Sequence, residues 1–259
     1  MTDRLFMWRE RVLYIGASFD FSMHKHHAVQ ICVGIHGLFD ISFGKGDCHL
    51  VRAALIAPDV PHQINAIDNE IAFVYLEPES TDYGAMLNTN EDKCAYKIWD
   101  TIDEEFASTF LNADTDEKTA ASLLSRTLEM VGIKPVSRLD VDERIIRVLK
   151  RLDETKGAQC TSEDLESVAC LSASRLQHLF KEQIGIPIRR YSLWKRIRYV
   201  LEQIIDGTRL VDAAMDAGFS DTAHFSRTFK EMFGVQPSSF MAAKGLVNIQ
   251  IFERFQPEI

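Results

Sequence analysis

The chain has 259 residues, 46% of them hydrophobic and 26% charged, with five cysteines and a formal net charge of -9. Every apolar run is broken by charge, Gly or Pro before it reaches the span of a bilayer, and no leader-like start precedes one, which argues against a membrane protein and makes the cytoplasm the expected location. Cys32, Cys48, Cys94, Cys160 and Cys170 are scattered, odd in number and free of any CxxC pair, which argues against a disulfide framework or a structural zinc site.

From residue 5 to about 77, short β-rich runs alternate with turn signals: "VLYIGASF", "AVQICVGI", "HGLFDISF", "GKGDCHLV", "AALIAPDV" and "IAFVYLEP". Their period-2 alternation predicts an antiparallel barrel or sandwich. The stretch "MHKHHAVQ" places His24 and His26 on one face of a strand, where His62 of "APDVPHQIN" can join them from a neighbour. Strand parity offers Trp8, Tyr14, Phe39 and Tyr75 as further pocket residues. Beyond Pro78 the spacing turns helical in "AYKIWDTIDEEFASTFL" and "EKTAASLLSRTLEMVG". Such stripes must pack on the barrel or on a second subunit, and a homodimer through residues 93–131 is expected. A linker is expected at 134–141, inside "GIKPVSRLDVDE", which divides the chain into a first domain over 1–133 and a second over 142–259.

Charge is unevenly shared between these parts. From Asp142 onward there are 17 Lys+Arg against 16 Asp+Glu, and before it 12 against 22. Within Ser172 to Arg198 seven basic residues face a single acid, Glu182. A local basic surface suits phosphate binding whatever the overall charge.

This second part reads as all helix and contains a repeat. "LFKEQIGI" at 179–186 returns as "TFKEMFGV" at 228–235, and the same offset of 49 carries Leu176 to Phe225 and Ala169 to Gly218. Each copy is a short helix, a tight turn near Ser172 or Ser220, and a second helix closed by Gly185 or Gly234, the pattern of a helix-turn-helix. Apolar residues at i, i+3 and i+4 leave the opposite faces free. Those faces carry Ser174, Arg175, Gln177 and His178 in the first copy and Thr222, Ala223, His224 and Arg227 in the second, residue types able to read base edges in a major groove. Lys181 and Lys230 lie farther along, and Arg189, Arg190, Lys195 and Arg196 lie on the connector "RRYSLWKRIRYVLEQIIDG"; these six are assigned to phosphates. A connector of this kind spaces two reading helices by about one DNA turn, roughly 34 Å.

On the strength of "VACLSASRLQHLFKEQIG" and "AAMDAGFSDTAHFSRTFKEMFGVQPSSF", the segment from about 142 to 245 resembles the DNA-binding domain of the AraC/XylS family of bacterial transcription regulators. The second copy matches the family's more constant unit at Gly218, Phe219, Phe225, Arg227, Phe229, Lys230, Gly234 and Pro237. The resemblance maps base contacts onto Ser174, Gln177, His178, Thr222, Ala223, His224 and Arg227. It also implies an effector domain of cupin type in front, giving an α+β multidomain chain: a cupin-like antiparallel β-barrel with flanking helices, then an all-α domain with two helix-turn-helix units.

Metal-binding cupins place a Glu four residues after the HxH, where this chain has Gln30, a poorer ligand for a hard cation. Three readings of His24, His26, Gln30 and His62 follow: an effector pocket, a divalent-metal site built on His24, His26 and His62, or structural histidines at a barrel rim. The expected function is a DNA-binding regulator whose barrel senses a small-molecule effector, with promoter DNA as partner and RNA polymerase as a further one. No cofactor is required and no catalytic residue is assigned. The alternatives for the barrel are a metal-dependent cupin enzyme and a ligand-free structural module.

Overall fold

The computed structural model describes residues 3–17, 21–44, 46–66, 69–77, 80, 82, 94–111, 116–133, 141–157, 160–238 and 247–252. The chain divides into two compact units, one made of 1–139 together with 229–254, the other built on 140–228. Most of the expected linker, residues 134–140, lies outside the described residues.

Among the described residues the first unit holds ten strands: β1 (Asp3–Met7), β2 (Arg11–Ala17), β3 (Val29–Gly34), β4 (Phe39–Gly44), β5 (Asp47–Val51), β6 (Ala53–Ile56), β7 (Gln63–Asn65), β8 (Glu70–Leu76), β9 (Tyr96–Trp99) and β10 (Val247–Ile251). They form a seven-stranded sheet in the order β10-β1-β2-β8-β3-β6-β9 and a three-stranded sheet in the order β5-β4-β7. The pairings of these strands are antiparallel except that of β1 with β10.

Every residue of β3 is buried, because its sheet is covered on both faces. Ile31 opposite Val74 and Val33 opposite Ala72 face one way, into a core shared with Leu13, Ile15, Phe6 and Trp8. That core is completed by Phe106, Phe110, Leu123, Leu124 and Leu128 from α1 (Glu104–Thr109) and α2 (Glu117–Met130) and the residue that follows α1. The alternate positions, Gln30 opposite Tyr75 and Cys32 opposite Phe73, face the other way. Trp8 therefore belongs to the helix-covered core, which corrects its assignment as a pocket residue.

Two helical expectations change. "AYKIWDTIDEEFASTFL" is β9 followed by α1, since Tyr96, Ile98 and Trp99 are strand formers that pair with the edge of β6. The apolar stripes proposed for dimerisation are spent on the unit's own sheet, so α2 has no such stripe left for a second subunit. The segment "VNIQI", within a part read as all helix, is β10. It lies parallel to β1, and Phe252 beyond it stacks on Phe6 with ring centres 6.0 Å apart.

The second unit carries α3 (Glu143–Glu154), α4 (Ser162–Ala169), α5 (Ala173–Ile184), α6 (Ile188–Ile205), α7 (Leu210–Asp216) and the first part of α8 (Thr222–Phe233), whose end belongs to the first unit. Thr161 and Asp164 form a reciprocal capping box at the start of α4, and Asp142 caps α3. Ile145, Val148 and Leu152 of α3 pack with Leu165, Leu176, Leu179, Phe180, Ile184 and Tyr191. Phe180 is fully buried, its ring edge-on to Tyr191 at 5.5 Å. Gly185 ends α5 at φ +85°, a conformation that L side chains rarely adopt.

Phe180→Ala is expected to cost about 3–5 kcal/mol, because a large ring leaves a cavity that the helices around it cannot fill. Ser174→Ala, on the exposed face of the same helix, should change stability by less than about 0.5 kcal/mol. Urea unfolding of both variants checks the contrast.

Candidate DNA interface and histidine cluster

On α5 the buried Leu176, Leu179, Phe180 and Ile184 turn Ser174, Arg175, Gln177, His178 and Lys181 toward solvent. On α8 the buried Phe225 and Phe229 leave Ala223, Arg227 and Lys230 on the opposite face, with Thr222 and His224 beside them at the helix start. His224 is engaged there: its backbone N–H donates to Asp221 Oδ1 at 2.6 Å, and its Nδ1 lies 3.2 Å from the Ser220 hydroxyl. Its ring also meets Phe219 edge-on at 5.3 Å. The backbone N–H of His224 and the Ser220 hydroxyl hold the Asp221 carboxyl below its ordinary range.

The connector helix α6 departs from expectation. Arg189 and Arg190 reach the surface, but Lys195 is buried, 3.8 Å from Asp153 and 5.0 Å from the centre of the Tyr191 ring. Arg196 donates from Nε to the Gly157 carbonyl at 2.6 Å and from a terminal nitrogen to the Gly218 carbonyl at 3.3 Å. Their assignment to phosphates is corrected: Lys195 points into the interior of its unit, and the partly buried Arg196 is engaged by two backbone carbonyls. Charge counting along a sequence does not see which face of a central helix is buried.

In the first unit, His24, His26 and His62 are buried, and one ring nitrogen of each lies within 4.8 Å of those of the other two. The loop carrying His24 and the one carrying His62 are joined by a β-bridge, the N–H of each donating to the carbonyl of the other at 3.0 and 2.9 Å. The three Nδ1 atoms lie 2.9 Å from the carbonyls of Ser22, Ala28 and Val60. Carbonyls only accept, so each Nδ1 carries the proton and donates. Gln30 Oε1 stands 2.7 Å from His26 Nε2 and 2.9 Å from His62 Nε2, and Tyr75 meets His26 edge-on at 5.4 Å. His27 is buried too, outside the group. Burial, with repulsion from His26, holds His24 at about 4; burial, with repulsion from His26 and His24, holds His62 at about 2; burial also pushes His26 below its ordinary value.

Two residues that sequence reasoning did not place here complete the surroundings. The Ser22 backbone N–H and hydroxyl both donate to the Gly234 carbonyl, at 3.1 and 2.8 Å. Gly234, at φ +72°, follows α8 within the same unit, and a Cβ on it would stand 2.5 Å from His24 Nδ1. Its glycine was legible as a helix closer; no signal in the sequence marks Ser22.

Residues 165–243 match the helix-turn-helix domain family. The arabinose operon regulatory protein of Salmonella typhimurium is 40% identical over 84 residues, 30% of each chain. The probable transcriptional regulator LumQ of Photobacterium leiognathi is 24% identical over 234 residues, covering 84% of this chain and 90% of that one. The chain thus matches the helix-turn-helix domain family over its second part and is similar along most of its length to a transcription regulator. Its first part is sheet-rich and its second part is helical and matches a helix-turn-helix domain. Among solved structures, an apo form of a ToxT point variant from Vibrio cholerae shares the fold at a TM-score of 0.61 and 11% identity, over 91% of this chain and 98% of that one. Wild-type ToxT bound to an unsaturated fatty acid aligns at 0.56 and 12%, over 93% and 98%. Among the described residues no helix of the protein is long and apolar enough to cross a membrane.

Lys195→Ala is expected to lower the stability of the second unit by about 3 kcal/mol by removing a buried cation beside the buried Asp153, as read by denaturant unfolding. The histidines predict acid sensitivity. Their folded values lie below the unfolded value of about 6.5, so the stabilisation is complete above that pH and is lost as pH falls toward 4. At pH 5, His24 and His62 each contribute a loss of about 2 kcal/mol, to be read from unfolding curves at pH 7.5 and 5.

Proposed function

We propose that the regulator reads promoter DNA with α5 and α8 and that its first unit, 1–133 in the sequence division, senses a small-molecule effector at His24, His26, Gln30 and His62. Residues 134–141 serve as linker and 142–259 as the DNA-binding domain in this reading. Base contacts fall to Ser174, Arg175, Gln177 and His178 on α5 and to Thr222, Ala223, His224 and Arg227 on α8. Lys181, Arg189, Arg190 and Lys230 neutralise phosphates. The observation that carries the DNA part is the presence of matching polar faces on two helices whose opposite faces are buried. Support for sensing comes from a closed polar cluster within a sheet-rich unit and from the fatty acid carried by ToxT, a structural neighbour.

The protein acts in the cytoplasm as a regulator and not as an enzyme, as a homodimer formed through surfaces other than the buried stripe of α2, with RNA polymerase as a partner at the promoter. Analytical ultracentrifugation at micromolar concentration should find the dimer; a monomer with and without DNA would remove it.

Fluorescence anisotropy against duplex from upstream of the regulator's own gene, and against a scrambled duplex, tests the DNA roles. Arg227→Ala should cost about 1–3 kcal/mol on the specific duplex and much less on the scrambled one. Lys181→Ala should weaken both alike and lower the slope of log affinity against log salt by about 1. Equal losses for the two variants on both duplexes would remove the division between base reading and phosphate positioning.

A further inference from the structure

The histidine cluster contains a contradiction in its proton inventory. With Nδ1–H donated to a carbonyl, the neutral rings of His26 and His62 present bare lone pairs at Nε2, yet both face Gln30 Oε1, itself an acceptor, at 2.7 and 2.9 Å. The buried Gln30 amide nitrogen, meanwhile, is set against the Cys32 thiol, a weak acceptor. Two arrangements resolve this. Turned over by 180°, the amide gives one N–H to each ring and satisfies the cluster by itself. In the orientation seen, three lone pairs converge with no proton between them, an arrangement that a cation would hold together.

We propose that His24, His26 and His62 bind a borderline divalent metal ion, zinc in the first instance, with Gln30 Oε1 as an additional ligand, and that His24 reports the ion to the end of α8. The close spacing of the rings suits an ion. Ring centres of His62 lie 4.3 Å from His24 and 5.1 Å from His26, and Gln30 and His62 have no exposed surface. Imidazole nitrogen suits zinc, and a backbone carbonyl on the second ring nitrogen is the arrangement that orients histidine ligands. Glutamine then has a purpose that a carboxylate lacks. One face of the amide donates to the empty site and the other ligates the filled one, so the site is stable in both states, as a reversible sensor requires. The report runs through His24, whose Nδ1 donates to the Ser22 carbonyl, while Ser22 donates twice to the carbonyl of Gly234. A shift of His24 toward an ion therefore pulls on the residue that closes α8.

Metal binding stands independently of the sensor reading; its consequence at DNA rests on that reading. The test uses tag-free, full-length chain stripped with chelator and titrated with Zn2+ by calorimetry and with Co2+ by visible absorption. The expected result is one equivalent bound, weakened on the order of 100-fold or more in His62→Ala and tightened about tenfold or more in Gln30→Glu, which adds a charge. No stoichiometric binding by the wild-type chain, equal binding by His62→Ala, or weaker binding by Gln30→Glu would each overturn the site. Because Gln30→Glu is expected to gain affinity, misfolding of the histidine variant does not blunt the test. For the report, zinc should change promoter affinity about tenfold in the wild-type chain and less in Ser22→Ala, with the same zinc stoichiometry in both. One bound equivalent without any change at DNA would overturn the report through His24, whereas an organic compound that shifts DNA affinity of a chain unable to bind metal would leave the sensor reading standing and remove zinc from it.

Discussion

Burial of β3 and β8 on both faces is the constraint from which the first unit follows. Once α1 and α2 cover one side of the large sheet, no residue of β3 reaches water, and the polar atoms on its other side must satisfy one another. Gln30 and the histidines around it are therefore held by packing as much as by hydrogen bonds. Isolated polar groups in such a place would be costly, and a network able to exchange one full set of partners for another is a sparing solution. The same packing lowers the affinity of the imidazoles for protons, which keeps their lone pairs available near neutral pH.

The helical unit was largely legible because its signals are local. A repeat with an offset of 49, glycines at helix ends and apolar residues at i, i+3 and i+4 mark α5 and α8, and their polar faces carry the residues that the pattern picked out. What the sequence hid is three-dimensional. Lys195 and Arg196 sit among basic residues that read as surface, yet α6 lies at the centre of its unit, and the partners Asp153, Gly157 and Gly218 are 22 to 42 positions away. Likewise β9 takes its character from β6, about 40 residues earlier, so "YKIW" could be taken for a helix turn when considered alone.

The histidine cluster lies between these extremes. HxH parity brought His24 and His26 together and a second loop supplied His62, but the decisive partner, Gln30, seemed a defect when weighed as a ligand only. Its value emerges from its two faces: the carbonyl against the rings and the amide nitrogen buried behind it.

β10 has a consequence for how the protein is made. It pairs with β1, so residues 3–7 wait beside an open sheet edge until residues 247–251 have been synthesised. At about 5–20 residues per second, translation would leave that edge without β10 for roughly ten seconds or more. An unpaired edge on a nascent chain invites pairing with other chains. Two strands about 240 residues apart thus share one folding event, and the helical unit, whose contacts are nearer in sequence, can form while the sheet is still waiting for its outer strand.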